Sequence, residues 1–282
     1  MRTFTCAAIV AAAIAAAFGS ACATQAAPTN RLDGAHHGAA PSKTLWKITA
    51  RPVSAANSLG EPIFFDLQVT NLSSEPASID LGGDDKKNLR ITLTEPNGLS
   101  RPSQLHYGGL QRRGTHLVGA HATYTKRLIL NEWNDFREVG DYYAMVALVP
   151  EFGPKMDDPP TDDFHVSIGP RNESKLSSVA KTLADRAITG AGFSDRDDAA
   201  FALSYVADPI AVPEMARVLE SGSDAGLPLT TALAHLGGAS AIGALQAAAK
   251  SHPDWSIRVA ADRDLRTLRN GGKIPLHYAI AD

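Results

Sequence analysis

The amino-acid sequence predicts two folded parts of different class in one chain: an all-β antiparallel sandwich, then an all-α solenoid of short helical hairpins. Three observations carry this. Between residues 45 and 168 apolar residues tend to alternate with polar ones, the period of a half-buried strand. From residue 174 the apolar period lengthens to about 3.6, that of a helix packed on one side. Within this second part an offset of 30 residues brings like residues together: Ala202-Leu203 on Ala232-Leu233, Val206 on Leu236, Ala211-Val212 on Ala241-Ile242, and Met215 on Leu245. A period of that size with two helices per unit is the mark of a stacked array.

Composition narrows the function classes. The chain has 282 residues, 44% of them hydrophobic and 20% charged, an ordinary globular balance. Lys+Arg number 27 and Asp+Glu 30, a formal charge of −3, so there is no basic excess to hold a nucleic-acid backbone and no nucleic-acid partner is expected. The only cysteines are Cys6 and Cys22.

Residues 1–26 read as an export signal. Arg2 supplies a positive end, and residues 7–18 are uncharged and apolar. As a helix that run spans roughly 18 Å, short of a ~30 Å hydrocarbon core. Ala21-Cys22-Ala23 forms an Ala-x-Ala cleavage pattern and Ala26 offers a second one. The chain is therefore expected in the periplasm or secreted. An alternative stays open: Ser20-Ala21-Cys22 resembles a lipobox, which would make Cys22 a lipidation site and the protein a membrane-anchored lipoprotein, although Gly19 stands where such motifs carry a Leu-like residue. Residues 27–44 form a linker rich in Ala, Pro, Gly and Asn; His36 and His37 lie in it.

The β-part is placed at 45–168. Strands are expected at 45–53, 63–72, 77–81, 89–94, 123–131, 142–149 and 164–168. Phe65, Leu67 and Val69 fall on one face of the second strand, with Asp66, Gln68 and Thr70 on the other. Gly82-Gly83-Asp84-Asp85 and Pro96-Asn97-Gly98 supply turns. Residues 100–122 are left as either a long hairpin or an irregular loop.

Glu61-Pro62-Ile63 running into Leu67-Gln68-Val69-Thr70-Asn71-Leu72 resembles the strand and turn of bacterial immunoglobulin-like domains. Gly140-Asp141-Tyr142 is similar to their tyrosine corner, in which a buried Tyr hydroxyl bonds nearby backbone. The resemblance implies an Ig-like β-sandwich without the inter-sheet cysteine pair.

The helical part is placed at 174–270, with a tail at 271–282. Leu176, Val179, Ala180, Leu183 and Ala187 share the first helix's buried face, and Gly190 ends it. Ser194, with Asp197 three residues on, reads as the next N-cap. Asp208-Pro209 opens a third helix, with Val212, Met215, Ala216 and Leu219 as its stripe. Helices follow at about 226–236 and 239–250. The last begins behind Pro253-Asp254 and carries Ile257, Ala261, Leu265 and Leu268.

Ala199-Ala200-Phe201-Ala202-Leu203, Ala207-Asp208-Pro209 and Ala211-Val212-Pro213 resemble the HEAT-repeat family, in the short bacterial form related to phycobilisome-lyase repeats. Ala232-Leu233, Gly237-Gly238 and Ala241-Ile242 repeat the pattern. Ser256-Ile257-Arg258, Ala260-Ala261 and Leu265 begin it a third time. The resemblance implies HEAT-like helical hairpins whose surface binds another protein. It also implies that Arg258 braces the array through Asp254 or the turn before it. The second helix of each unit would line the binding surface, with Glu214, Arg217 and Gln246 turned away from the core.

No Gly-rich nucleotide loop, His-Glu-x-x-His or Gly-x-Ser-x-Gly motif is present. The expectation is a non-enzymatic binding or scaffold protein with no cofactor and an unidentified protein partner. Two alternatives stand beside it. One is a β-module binding a glycan through Trp133, or calcium through the acidic run 156–163. The other is a hydrolase, or a zinc site, built from His106, His116 and His121 with nearby carboxylates. His235 reads as the polar edge of a repeat helix.

Overall fold

A computed structural model describes residues 45–81, 88–102, 115–149 and 158–272. Residues 42–282 belong to one compact unit. The expected signal with Cys22, the expected linker, His106, Met156, Asp157 and residues 273–282 lie outside the described residues. The fold is mixed: a β-part followed by an α-part. Among the described residues no helix is long and apolar enough to cross a membrane.

Among the described residues, ten strands build the β-part: β1 (Trp46–Pro52), β2 (Ala56–Ser58), β3 (Phe64–Asn71), β4 (Ala77–Asp80), β5 (Leu89–Thr94), β6 (Ser100–Pro102), β7 (Thr115–Val118), β8 (Thr123–Ile129), β9 (Gly140–Leu148) and β10 (Thr161–Gly169). One sheet has the order β1-β3-β8, a second β2-β10-β9-β5-β6, and β4 pairs with β7. All pairs are antiparallel except β2 with β10. The inward residues of both larger sheets form one core, because the two-residue period puts every second side chain on the same face. Phe65, Leu67 and Val69 are fully buried, as their alternation requires. Phe65 stacks on Phe164 at 5.3 Å and meets the edge of Trp133 at 6.2 Å. The Tyr142 hydroxyl donates to the Glu138 carbonyl at 2.9 Å while its ring is buried, the corner expected from Gly140-Asp141-Tyr142.

Three departures from the expected elements have local causes. β2, β6 and β7 are too short to show a period. The ends of the stretch 100–122 do not pair with each other: β6 pairs with β5 and β7 with β4. The strand expected at 164–168 begins earlier, because Thr161, Asp162 and Asp163 of the acidic run open β10. Asp162 accepts from the Ala50 amide at 2.7 Å and pairs with Arg51 at 3.1 Å, which accommodates a carboxylate at the sheet margin.

Six helices follow among the described residues: α1 (Glu173–Thr189), α2 (Phe193–Ser204), α3 (Val212–Glu220), α4 (Leu227–Leu236), α5 (Gly238–Ser251) and α6 (Trp255–Arg269). Asn172 caps α1 by accepting from the Lys175 amide, and α1 stops at Gly190. Ser194 does not cap α2. Gly192 holds the cap position without a side-chain bond, and Ser194 falls inside the first turn. Asp208 accepts from the Ile210 amide and starts a 3-10 turn, Pro209–Ala211, that leads into α3. Each helix packs on the next but one: α1 on α3, α2 on α4, α3 on α5, and α4 on α6. The offset pairs Leu203/Leu233, Ala211/Ala241 and Met215/Leu245 are all buried, so the matched positions do the same packing work.

The two parts meet along a hydrogen-bonded seam. Ser58 Oγ donates to the Pro170 carbonyl at 3.0 Å and accepts from the Asn172 amide at 2.8 Å. Lys175 Nζ lies 2.8 Å from the buried Glu61 carboxylate. The Gly60 carbonyl accepts from the Ala207 amide at 3.1 Å, and Gly60 itself sits at φ +91°, a conformation that glycine alone adopts without strain. Ile129 and Phe64 join the helical core rather than the core between the sheets.

Candidate functional site

Two features stand out: a charged surface along alternate helices, and a cleft at the seam. The surface contains the residues the sequence singled out. Arg217 of α3 donates through Nε to Glu214 at 2.7 Å, one turn earlier in its own helix. Its Nη2 reaches Asp185 of α1 at 2.7 Å, and Asp185 also pairs with Lys181 at 3.2 Å. Arg217, then Lys181, hold the Asp185 carboxyl below its ordinary range, while Asp185 and then Glu214 push the guanidinium up. Glu214 and Arg217 are thus brought together and tied to α1. Gln246 stands exposed on α5, the helix packed on α3. Spacing made the Glu214–Arg217 contact legible, since residues three apart share a helical face. The link to Asp185 needs the stacking of α3 on α1 and has no local signal.

The histidines are placed apart from any such network. His116 Nε2 is 3.0 Å from the Tyr124 hydroxyl, with the two rings stacked at 4.2 Å. His121 is exposed in a turn at φ +57°. Among the described residues no three His, Cys, Asp or Glu side chains are grouped to hold a metal. Trp133 is only 1% exposed and packs under Phe65, so it offers no platform to a sugar.

The cleft has a volume of about 600 Å³, within the range of small-ligand sites. One wall is the turn between β2 and β3, with Leu59, Gly60 and Glu61. Another is the segment after β8, from Asn131 to Arg137. Tyr205 and Ala207 beyond α2 and His235 in the last turn of α4 complete it. Its walls are fixed from behind. Asn131 Oδ1 accepts from the Ile63 amide at 2.7 Å, and the Glu61 carboxylate accepts from the Ser58 amide. Tyr205 is buried with its ring edge-on to Phe201 at 5.1 Å. Burial first, and then the charges of Glu132 and Asp135, push its phenol far above the ordinary range, so it stays protonated. Asp135 pairs with Arg137 at 2.9 Å on the exposed rim. Asn134 Nδ2 is buried without a hydrogen-bond partner. Apart from His235, read as a helix edge, sequence reasoning missed this site. Its residues come from five separate segments and share no motif.

No protein-family model matches the chain, and neither does any curated protein. Solved structures share a likeness over 45% of the chain. A β-glucosidase from Listeria innocua is 15% identical at a TM-score of 0.27, and the matched region is 16% of its length. The CARDB domain of a Pyrococcus furiosus protein is 10% identical at a TM-score of 0.27, with 94% of that domain covered. The alkylpurine DNA glycosylase AlkC of Pseudomonas fluorescens is 14% identical at a TM-score of 0.30, with 31% covered. The chain thus spans only a small part of the two enzymes, and likenesses at these scores carry no argument about activity.

Proposed function

We propose that this chain is an exported, non-enzymatic binding protein, in which an Ig-like β-sandwich carries a short HEAT-like α-solenoid that grips a protein partner. The observation that carries the reading is the stacking of α1, α3 and α5, which presents Lys181, Asp185, Glu214, Arg217 and Gln246 on successive helices of one set. Repeat stacking makes such a surface continuous, the usual basis of recognition in solenoids. The N-terminal signal supports a periplasmic or secreted location, with Cys22 lipidation as the anchored alternative.

The network dictates how the face is tested. Removing Arg217 alone would leave Asp185 beside a lost partner and confuse folding with recognition. Inverting all four signs keeps every attraction while reversing the surface: Lys181→Glu, Asp185→Arg, Glu214→Lys and Arg217→Glu. The inverted protein should melt close to wild type and capture a partner from envelope extracts at least tenfold less well. Undiminished capture would remove the binding site from this face.

A further inference from the structure

The outer side of α6 carries exposed apolar surface. Trp255 is 68% exposed and Val259 54%, whereas the chain's other two tryptophans, Trp46 and Trp133, are buried. Trp255, Val259, Arg263 and Thr267 stand four residues apart, so they form one ridge along the helix. Behind the helix the chain turns back onto the far end of that ridge. Gly271 adopts φ +71°, and the Gly272 amide donates to the Thr267 carbonyl at 2.9 Å. Gly272 lies so close to the Thr267 methyl that a Cβ there would come within 2.7 Å of it. The chain is therefore handed on from a point beside Thr267.

The sequence that follows has the matching pattern. Ile274, Leu276, Tyr278 and Ile280 occupy every second position, so an extended segment presents all four on one face. Pro275 disfavours helix at Ile274. Two extended residues advance roughly 6.6 Å, and four helical residues about 6 Å. The two spacings agree closely, so a segment running back from Gly272 along α6 meets the ridge once per apolar residue. Ile274 falls on the aliphatic stem of Arg263, whose guanidinium is held by Asp264 at 2.8 Å. Leu276 falls on Val259, and Tyr278 on Trp255.

We propose that residues 273–280 dock as an extended strap along the exposed ridge of α6, with Leu276 and Tyr278 covering Val259 and Trp255. The occupant is the chain's own segment because Gly272 delivers it to the ridge in register, and a covalent link gives it a high effective concentration over any second copy. The ridge belongs to the row of α2, α4 and α6, not to the face of α1, α3 and α5. This proposal and the partner-binding reading can therefore fail separately.

The test reads acrylamide quenching of Trp255 fluorescence in the purified full chain, taken as the difference between each protein and its Trp255→Phe counterpart. Trp46 and Trp133 are 5% and 1% exposed, so they stay shielded and report that each variant is folded. Trp255 should be shielded in the wild type, and the shielding should not change on dilution. Leu276→Ser combined with Tyr278→Ser should raise its quenching to that of an unshielded indole. His277→Ser, on the opposite face of the strap, should leave it low. Free quenching of Trp255 in the wild type would overturn the proposal. So would shielding that survives the double substitution, or an equal loss of shielding in His277→Ser. Shielding that fades on dilution would overturn it too, by assigning the ridge to a second copy of the chain.

Discussion

Asp208 shows how one side chain can serve several levels of the structure. Its carboxylate caps the turn before α3 by accepting from the Ile210 amide at 3.0 Å. It also takes both arms of Arg171, at 2.5 and 3.1 Å, and so ties the junction between the two parts to the helices. The Arg171 bonds hold its carboxyl below the ordinary 3.8, against the opposing effect of burial. A carboxyl lowered on folding binds its proton less tightly in the native state. Its stabilisation is therefore complete above the unfolded value and is lost as pH falls through the folded one. Asp208→Asn keeps an acceptor for Ile210 and loses the charge for Arg171. The Asp208 side chain is 8% exposed, so at pH 7 the loss should be about 1.5–3 kcal/mol, typical of a hydrogen bond to a charged group. Urea midpoints should show that gap at pH 7 and a shrinking one below pH 3.8. A gap independent of pH would mean that the ion pair contributes nothing. The cap was legible from Asp208-Pro209, while the arginine reaching it from 37 residues upstream was not.

At the scale of elements, arginines brace the ends of helices. Arg258, in the first turn of α6, donates to the carbonyls of His252 and Pro253 at 2.5 and 2.9 Å. It therefore bridges the preceding turn, one of the two roles expected of it, and leaves Asp254 to cap Ser256. Arg196 in α2 makes the corresponding reach to Gly190, longer at 3.5 Å, and adds Asp224 at 3.1 Å. Both arginines meet the carbonyl six residues upstream that closes the previous helix. The fourth residue of α4, the position that Arg196 and Arg258 hold in α2 and α6, is instead the buried Thr230. Arg258→Ala should cost about 1–3 kcal/mol, since it strands helix-end carbonyls, and Arg258→Lys should restore only part of that because the fork is lost. An unchanged melting temperature in Arg258→Ala would refute the role. The long elements were readable because many residues share one period: the stripe of α1 from Leu176 to Ala187, or the alternation of β3. β2, with three residues, offers too little pattern to read. Asp162 and Asp163 hid the start of β10, because charge usually marks a loop and here serves a sheet margin.

The whole molecule is organised by its seam. Glu61 with Lys175, Ser58 with Pro170 and Asn172, and Gly60 with Ala207 fasten the sheets to the helices. The cleft lies along this line, so its geometry depends on both parts and was beyond any local reading of the chain. The charged face of α1, α3 and α5 was half legible, because Glu214 and Arg217 share a helix while Asp185 comes from another. The proposed function requires that this face, and not the β-part, meets the partner. A photo-activated benzophenone residue at Gln246 tests it most directly, with the same probe at Met145 as the control. Both positions are exposed, and Met145 lies on β9 in the five-stranded sheet. Illumination in envelope extract should give one discrete adduct from position 246 and none from 145. An adduct from position 145 with none from 246 would contradict the claim and assign the binding site to the β-part.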